Sequence, residues 1–272
     1  MNFTKMHGAG NDYIYIDCFN ENVENPCKLA IRLSDRHFGI GGDGVVLIKP
    51  SEKADCFMDI YNADGSRAQM CGNAVRCTAK YIYDNRIKKP VITVETLSGI
   101  KLVKMLSDGC QVNMGKPTLN GRLIPTRYGD SIVKDKILSI DNTEYKITCV
   151  SMGNPHCVIF CNDIDKIDLQ KIGPLFERHE MFPERINTEF AEIIDANCVK
   201  MRVWERGSGE TLACGTGACA VGIAAVINGF CQKNTDITIK AKGGILKVRW
   251  SENDNVYLSG NAIKVFDGKY KS

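Results

Sequence analysis

The chain carries the same parts twice. Cys71 opens Cys71-Gly72-Asn73-Ala74, and 143 residues later Cys214 opens Cys214-Gly215-Thr216-Gly217. The same displacement carries Asn11 to Asn154, Tyr13 to His156, Gly44 to Asn187 and Asn62 to Glu205. One match would mean little. Several in a single register point to an internal duplication, and 272 residues suffice for two domains of moderate size.

Each half reads alike. Strands such as 12–17 and 156–160 lead through a polar loop into the Cys-Gly turn and then a helix. The pattern predicts helices from about Asn73 to Asn85 and from about Thr216 to Phe230, the second apolar all round and therefore buried. A strand ending in a glycine turn follows each helix. There the displacement grows to 145, as Gly115 and Gly260 show, so two residues were inserted after the second helix. The predicted fold class is α+β: two pseudo-symmetric domains, each a curved, mostly antiparallel sheet wrapped around a central helix. The expected halves are 1–115, joined by 261–272, and 116–260, with the active site in the cleft between them. Segment 116–145, rich in Gly, Pro and charge, is expected to be the join.

Charge excludes some classes of function. A net charge of +3 is too weak and dispersed for a nucleic-acid partner. The opening Met1-Asn2-Phe3-Thr4-Lys5-Met6-His7-Gly8 has no apolar run, which predicts no signal peptide. No window approaches the roughly 20 apolar residues of a membrane span, so a cytoplasmic protein is expected. Thirteen cysteines in such a chain do not suggest a disulfide framework, and the close pairs Cys157/Cys161 and Cys214/Cys219 lack partners at zinc spacing. Cys18, Cys56, Cys110, Cys149, Cys198 and Cys231 sit in apolar runs and are expected to be buried hydrophobes.

Cys71 and Cys214 differ from these because each stands at a helix start. The helix dipole, worth at most ~2 kcal/mol, would lower a thiol by about one pKa unit toward neutrality. The free N–H groups at Gly72-Asn73 and Gly215-Thr216 would hold an anion. Two such thiols suit inversion of a carbon next to a carboxylate, with a base on one face and an acid on the other. No cofactor is required if fixed dipoles meet the developing charge. His156 and the pair Glu205-Arg206 are ordinary residues when taken singly. Their places in the repeat make them candidates, because there the halves differ: His156 against Tyr13, Glu205 against Asn62.

These residues resemble a known family. Met6-His7-Gly8-Ala9-Gly10-Asn11-Asp12, Tyr61-Asn62-Ala63-Asp64-Gly65-Ser66, Cys71-Gly72-Asn73, Gly153-Asn154-Pro155-His156, Glu205-Arg206-Gly207 and Gly209 through Ala218 together resemble the diaminopimelate epimerases. The Cys-Gly turns by themselves would be shared with proline racemases. The resemblance implies epimerisation of LL-2,6-diaminopimelate to the meso form, without pyridoxal phosphate, another cofactor or a metal, for lysine and peptidoglycan synthesis. It implies Cys71 and Cys214 as the acid/base pair, tuned by His156 and Glu205. Asn11, Asn62, Asn154, Asn187 and Arg206 would hold the substrate, with Arg206 on the distal carboxylate. Backbone at Gly72, Asn73, Gly215 and Thr216 would hold the reacting carboxylate. A homodimer is implied, with no nucleic-acid or membrane partner. Two departures stand out: Gly44 replaces a substrate-contacting glutamine of some members, and Phe266 a tyrosine linked to dimerisation. The alternative is a related cofactor-independent racemase acting on lanthionine, histidine or proline.

Overall fold

The repeat is realised as strand register. The computed structural model describes residues 1–271 and forms two compact units, Met1–Asn113 with the closing segment from Ser259, and Met114–Leu258. The first contains β1 (Asn2–Gly8), β2 (Asn11–Asp17), α1 (Pro26–Ser34), β3 (Gly44–Lys49), β4 (Cys56–Asn62), β5 (Arg67–Ala68), α2 (Gly72–Asn85), β6 (Val91–Thr96), β7 (Gly99–Leu106) and most of β8 (Gly109–Gly115). The second contains β9 (Lys136–Ile140), β10 (Thr143–Ser151), β11 (Pro155–Phe160), α3 (Leu169–Glu177), β12 (Asn187–Asp195), β13 (Cys198–Glu205), β14 (Gly209–Thr211), α4 (Gly215–Ile227), β15 (Ile237–Ala241), β16 (Gly244–Trp250) and most of β17 (Val256–Gly260). The last strand, β18 (Ile263–Lys269), pairs with β1 in the first unit.

Parallel pairing of β2 with β3 sets Tyr13 beside Gly44, and parallel pairing of β11 with β12 sets His156 beside Asn187. Both members are displaced by the same 143 residues. Cys56 of β4 meets Val94 of β6, and Val199 of β13 meets Ile239 of β15, so the two-residue insertion is absorbed between helix and strand. The sheets are mixed but mostly antiparallel, as expected: besides β2–β3 and β11–β12, only β4–β6 and β13–β15 pair in parallel among the described residues.

Period-2 alternation divides each sheet between two helices. In the first unit Ile14, Ile16, Val45 and Leu47 pack against Ala30 and Leu33 of α1. The opposite face carries Tyr15, whose hydroxyl donates to the Ala74 carbonyl of α2 at 3.5 Å. In the second unit Cys157, Ile159 and Phe190 turn toward Phe176 of α3, and the Phe176 and Phe190 rings meet edge to face at 5.6 Å. Each such side chain contributes about 1.5–3 kcal/mol by burial. Residues of the other parity face α4, which packs on β10–β13, β15 and β16. Gly222 makes that approach possible, since a Cβ there would lie 2.8 Å from Val248 Cγ1.

Several boundaries differ from the sequence reading. The second helix stops at Ile227 rather than Phe230, because Gly229 adopts φ +80° and Phe230 N returns to the Ala225 carbonyl. The expected join 116–145 holds β9 and the start of β10 in its last ten residues. Cys56, Cys110, Cys149, Cys198 and Cys231 are buried, but Cys18 is only half-buried. Among the described residues no helix is long and apolar enough to cross a membrane.

One buried ion cluster carries a testable consequence. Asp59 of β4 is 1% exposed at its side chain and lies 2.6 Å from both Lys49 Nζ and Arg67 Nε. Burial would raise its carboxyl, but hydrogen bonds from Arg67 and Lys49 outweigh burial and hold it below the usual range. A depressed carboxyl stabilises the fold at neutral pH and loses that stabilisation as pH falls through the folded-state value, below about pH 4. Urea midpoints should therefore drop between pH 6 and pH 3. Asp59→Asn should cost about 1–3 kcal/mol at pH 7 and flatten part of that acid dependence.

Candidate active site

Cys71 is the N-cap of α2, with extended φ −138° and ψ 122°. Its Sγ donates to Asn11 Oδ1 at 3.4 Å, and Asn73 Nδ2 donates to the same oxygen at 3.4 Å. The amide of Asn11 has its orientation dictated from the other side. Nδ2 donates to Asp43 Oδ2 at 2.7 Å, and that carboxylate also accepts from Asp12 N and Arg36 Nη2. A carboxylate can only accept, so Asn11 must turn its oxygen toward the thiol. The α2 turn is fastened by Arg76, fully buried, which donates from Nη1 to the Gly72 carbonyl and from Nη2 to Asn73 Oδ1. The first unit thus brings together Cys71, Gly72, Asn73 and Asn11. Asn62 lies at the end of β4, opposite Gly44, its Nδ2 donating to Ser66 Oγ at 2.9 Å.

Gly44 has a steric reason to be glycine. A Cβ there would lie 2.1 Å from the Tyr61 carbonyl, 2.7 Å from Tyr13 Cε1 and 3.1 Å from Asn62 Cα. A glutamine at this position has no room on this backbone.

Cys214 caps α4 in the same way, with φ −115° and ψ 119°, and accepts from Gly217 N at 3.4 Å. Thr216 Oγ1 is also 3.4 Å away. Glu205 accepts from Thr211 Oγ1 at 2.5 Å and lies close enough to Cys214 for each to act on the other's charge. His156 is fully buried, with Nδ1 at 2.7 Å from Glu189 Oε1 and Nε2 at 3.1 Å from Asn154 Oδ1. Asn187 donates from Nδ2 to the Pro155 carbonyl and accepts the Arg206 backbone N–H at 2.9 Å, so it fixes the turn that presents Arg206. The exposed guanidinium of Arg206 donates to the Glu184 carbonyl at 2.9 Å. Buried Glu177 braces the same turn, accepting from Gly207 N and Trp204 Nε1.

The expected lowering of both thiols by the helix dipole fails for Cys214. Burial pushes this thiol well above its ordinary value, and the carboxylates of Glu205 and Glu189 push the same way. A dipole worth at most ~2 kcal/mol does not offset burial effects of up to about 3–5 pKa units. Burial likewise raises Glu205, against the hydrogen bonds from Thr211 and Cys214. Cys214 therefore rests as a protonated thiol at neutral pH.

Sequence reasoning missed Asp43, Arg76, Glu177 and Glu189. All are polar groups behind the candidate residues. Only Asp43 had a visible signal, the acidic residue in the glycine-rich run 39–44.

This architecture occurs in other solved structures. A PhzF-family phenazine biosynthesis protein of Bacillus anthracis superposes with TM-score 0.71 at 15% identity, covering 100% of this chain and 99% of that one. A probable proline racemase of Agrobacterium radiobacter K84 gives 0.70 at 13% identity, covering 99% and 92%. The fold is that of the diaminopimelate epimerase and PhzF proteins. The sequence narrows the assignment: the diaminopimelate epimerase family profile matches residues 3–120 and 148–265, and the chain belongs to that family. It is 54% identical over 276 residues to the diaminopimelate epimerase of Acetivibrio thermocellus, covering 99% of this chain and 98% of the relative. It is 50% identical to that of Methanococcus maripaludis over 276 residues, covering 99% of each.

Proposed function

We propose that the chain interconverts LL-2,6-diaminopimelate and meso-2,6-diaminopimelate, with Cys71 and Cys214 as acid and base. The observation that carries this reading is identity of about half over nearly the full length to proteins of that name. Its chemical support is that both cysteines cap helices of matched register, each with its own polar surroundings.

One cysteine, as thiolate, takes the α-hydrogen. The other, as thiol, delivers a proton to the opposite face, and the roles exchange in reverse. Cys214 begins as the donor, because its surroundings hold the proton on sulfur. Backbone N–H groups at Gly72-Asn73 and Gly215-Thr216 hold the reacting carboxylate and stabilise the charge that develops on it. His156 and Glu205 tune the thiols. Asn11, Asn62, Asn154 and Asn187 orient the substrate. Arg206, held by its backbone and with its guanidinium exposed, takes the distal carboxylate as a two-pronged donor.

Heavy-water exchange of the α-hydrogen tests the substrate. Exchange is expected with diaminopimelate and not with proline, histidine or lanthionine; the reverse pattern would overturn the assignment. Arg206→Lys removes the planar fork, so the diaminopimelate KM should rise roughly tenfold or more, with a smaller change in kcat. Steady-state kinetics reads this directly.

On the same reading the enzyme works in the cytoplasm as a homodimer and supplies lysine and peptidoglycan synthesis. In support of the dimer, β18 exposes Ile263, Val265 and Phe266 on a strand paired on one side by β1.

A further inference from the structure

Glu189 is fully buried on β12, and its side chain points away from the α3 face to which its neighbour Phe190 belongs. It lies against the first turn of α4. A Cβ on Gly217 would lie 2.5 Å from Glu189 Oε1 and 3.2 Å from Cys214 Cβ, so carboxylate and thiol carbon flank one point. Oε1 is 2.7 Å from His156 Nδ1, while Oε2 has no hydrogen-bond partner among the described residues. A carboxylate buried this way costs stability unless something offsets it. Here the ring of His156 is the carboxylate's one hydrogen-bond partner among the described residues.

We infer that Glu189 is a positioning residue of this site: it orients His156 through Nδ1 and sets a second carboxylate against the helix turn that carries Cys214. The inference rests on the two-thiol reading above. A ring nitrogen facing a carboxylate oxygen carries the hydrogen, so Nδ1–H is fixed toward Glu189 and the plane of the ring with it. Nε2 is thereby left as an acceptor toward Asn154, a proposed substrate contact, whose amide must then turn its Nδ2 rather than its Oδ1 to the ring. The titratable groups around Glu189 come from three elements besides its own: His156 and Cys157 from β11, Cys214 from the start of α4, and Glu205 from the end of β13. Glu189 acts on Cys214 and Glu205 in one direction, favouring the protonated form of each.

Glu189→Gln keeps the shape and removes the charge. Iodoacetamide alkylation, read on the Cys214 peptide by mass spectrometry across pH, should show a midpoint about one unit lower in Glu189→Gln, or roughly tenfold faster labelling below the midpoint. Coincident midpoints overturn the inference. A second measurement needs no variant: nitrogen-15 spectra of histidine-labelled wild-type protein should show His156 protonated at Nδ1. A ring protonated at Nε2 alone overturns it. Neither readout requires turnover, so a protein with both signatures but no α-hydrogen exchange would sink the epimerase assignment and leave the role of Glu189 standing.

Discussion

Replacing Cys214 with alanine is expected to lower net epimerisation by at least ~10²–10⁴-fold, the usual contribution of a positioned acid or base. Cys71→Ala should do the same. The size follows from the geometry of inversion: with one thiol gone, a proton removed from one face has no donor on the other. A subtler result separates this from simple damage to the site. A single mutant that keeps its remaining thiol should still exchange the α-hydrogen of one stereoisomer with heavy water, returning it without inversion. The two mutants should differ in which isomer they exchange. If both retain full epimerisation, the cysteines are not the acid/base pair. Unchanged ligand affinity in mutants of a protein that never showed exchange would indicate a binding protein with inert thiols. Cys214 is the more informative replacement under the proposed assignment, because burial, Glu205 and Glu189 all favour its protonated form.

Gly44→Gln should be the most damaging change outside the thiols. The added Cβ meets backbone, the Tyr61 carbonyl at 2.1 Å, and the Tyr13 ring at 2.7 Å. Neither yields as the end of a long side chain would. Overpacking of this kind costs about 3 kcal/mol or more, so thermal unfolding should begin roughly 6–12 °C lower. Asn62 stands directly across the β3–β4 ladder from Gly44, so any fold that survives should also bind substrate less well. A wild-type melting temperature would show that the strand relaxes around the new side chain and that the substitution is a matter of history rather than space.

The parts of the fold legible from sequence were those that repeat. The Cys-Gly turns placed both central helices to within a residue at their starts, and the 143-residue displacement is the register of two parallel strand pairs. α1 and α3 were not legible. Each is nine residues long and occurs between polar stretches, and the cue for each is a single capping side chain, Asn25 for α1 and Asp168 for α3. In the site, residues beside the Cys-Gly turns could be read from position in the repeat. The groups behind them could not. Glu189 sits in Thr188-Glu189-Phe190-Ala191, where a strand of alternating character would place a glutamate toward solvent. Only the covering of both sheet faces by helices turns it inward. The charge on Cys214 was misjudged for the same reason: a dipole is visible in a helix start, whereas burial and a carboxylate from a distant strand are not.

Gly217 leaves a trace on how this protein can change over generations. A methyl group there would strike Glu189 Oε1, which is already committed to His156. A lineage that gains alanine at 217 first passes through a form with its histidine dislodged. One that first shortens Glu189 gives up the ring's support before the helix can be filled. The order of two substitutions thus decides whether the intermediate survives, at a position whose own N–H is bonded to the Cys214 sulfur. Homologues should be found with these two sites exchanged together and seldom singly, which makes the pair a marker of descent as well as of mechanism.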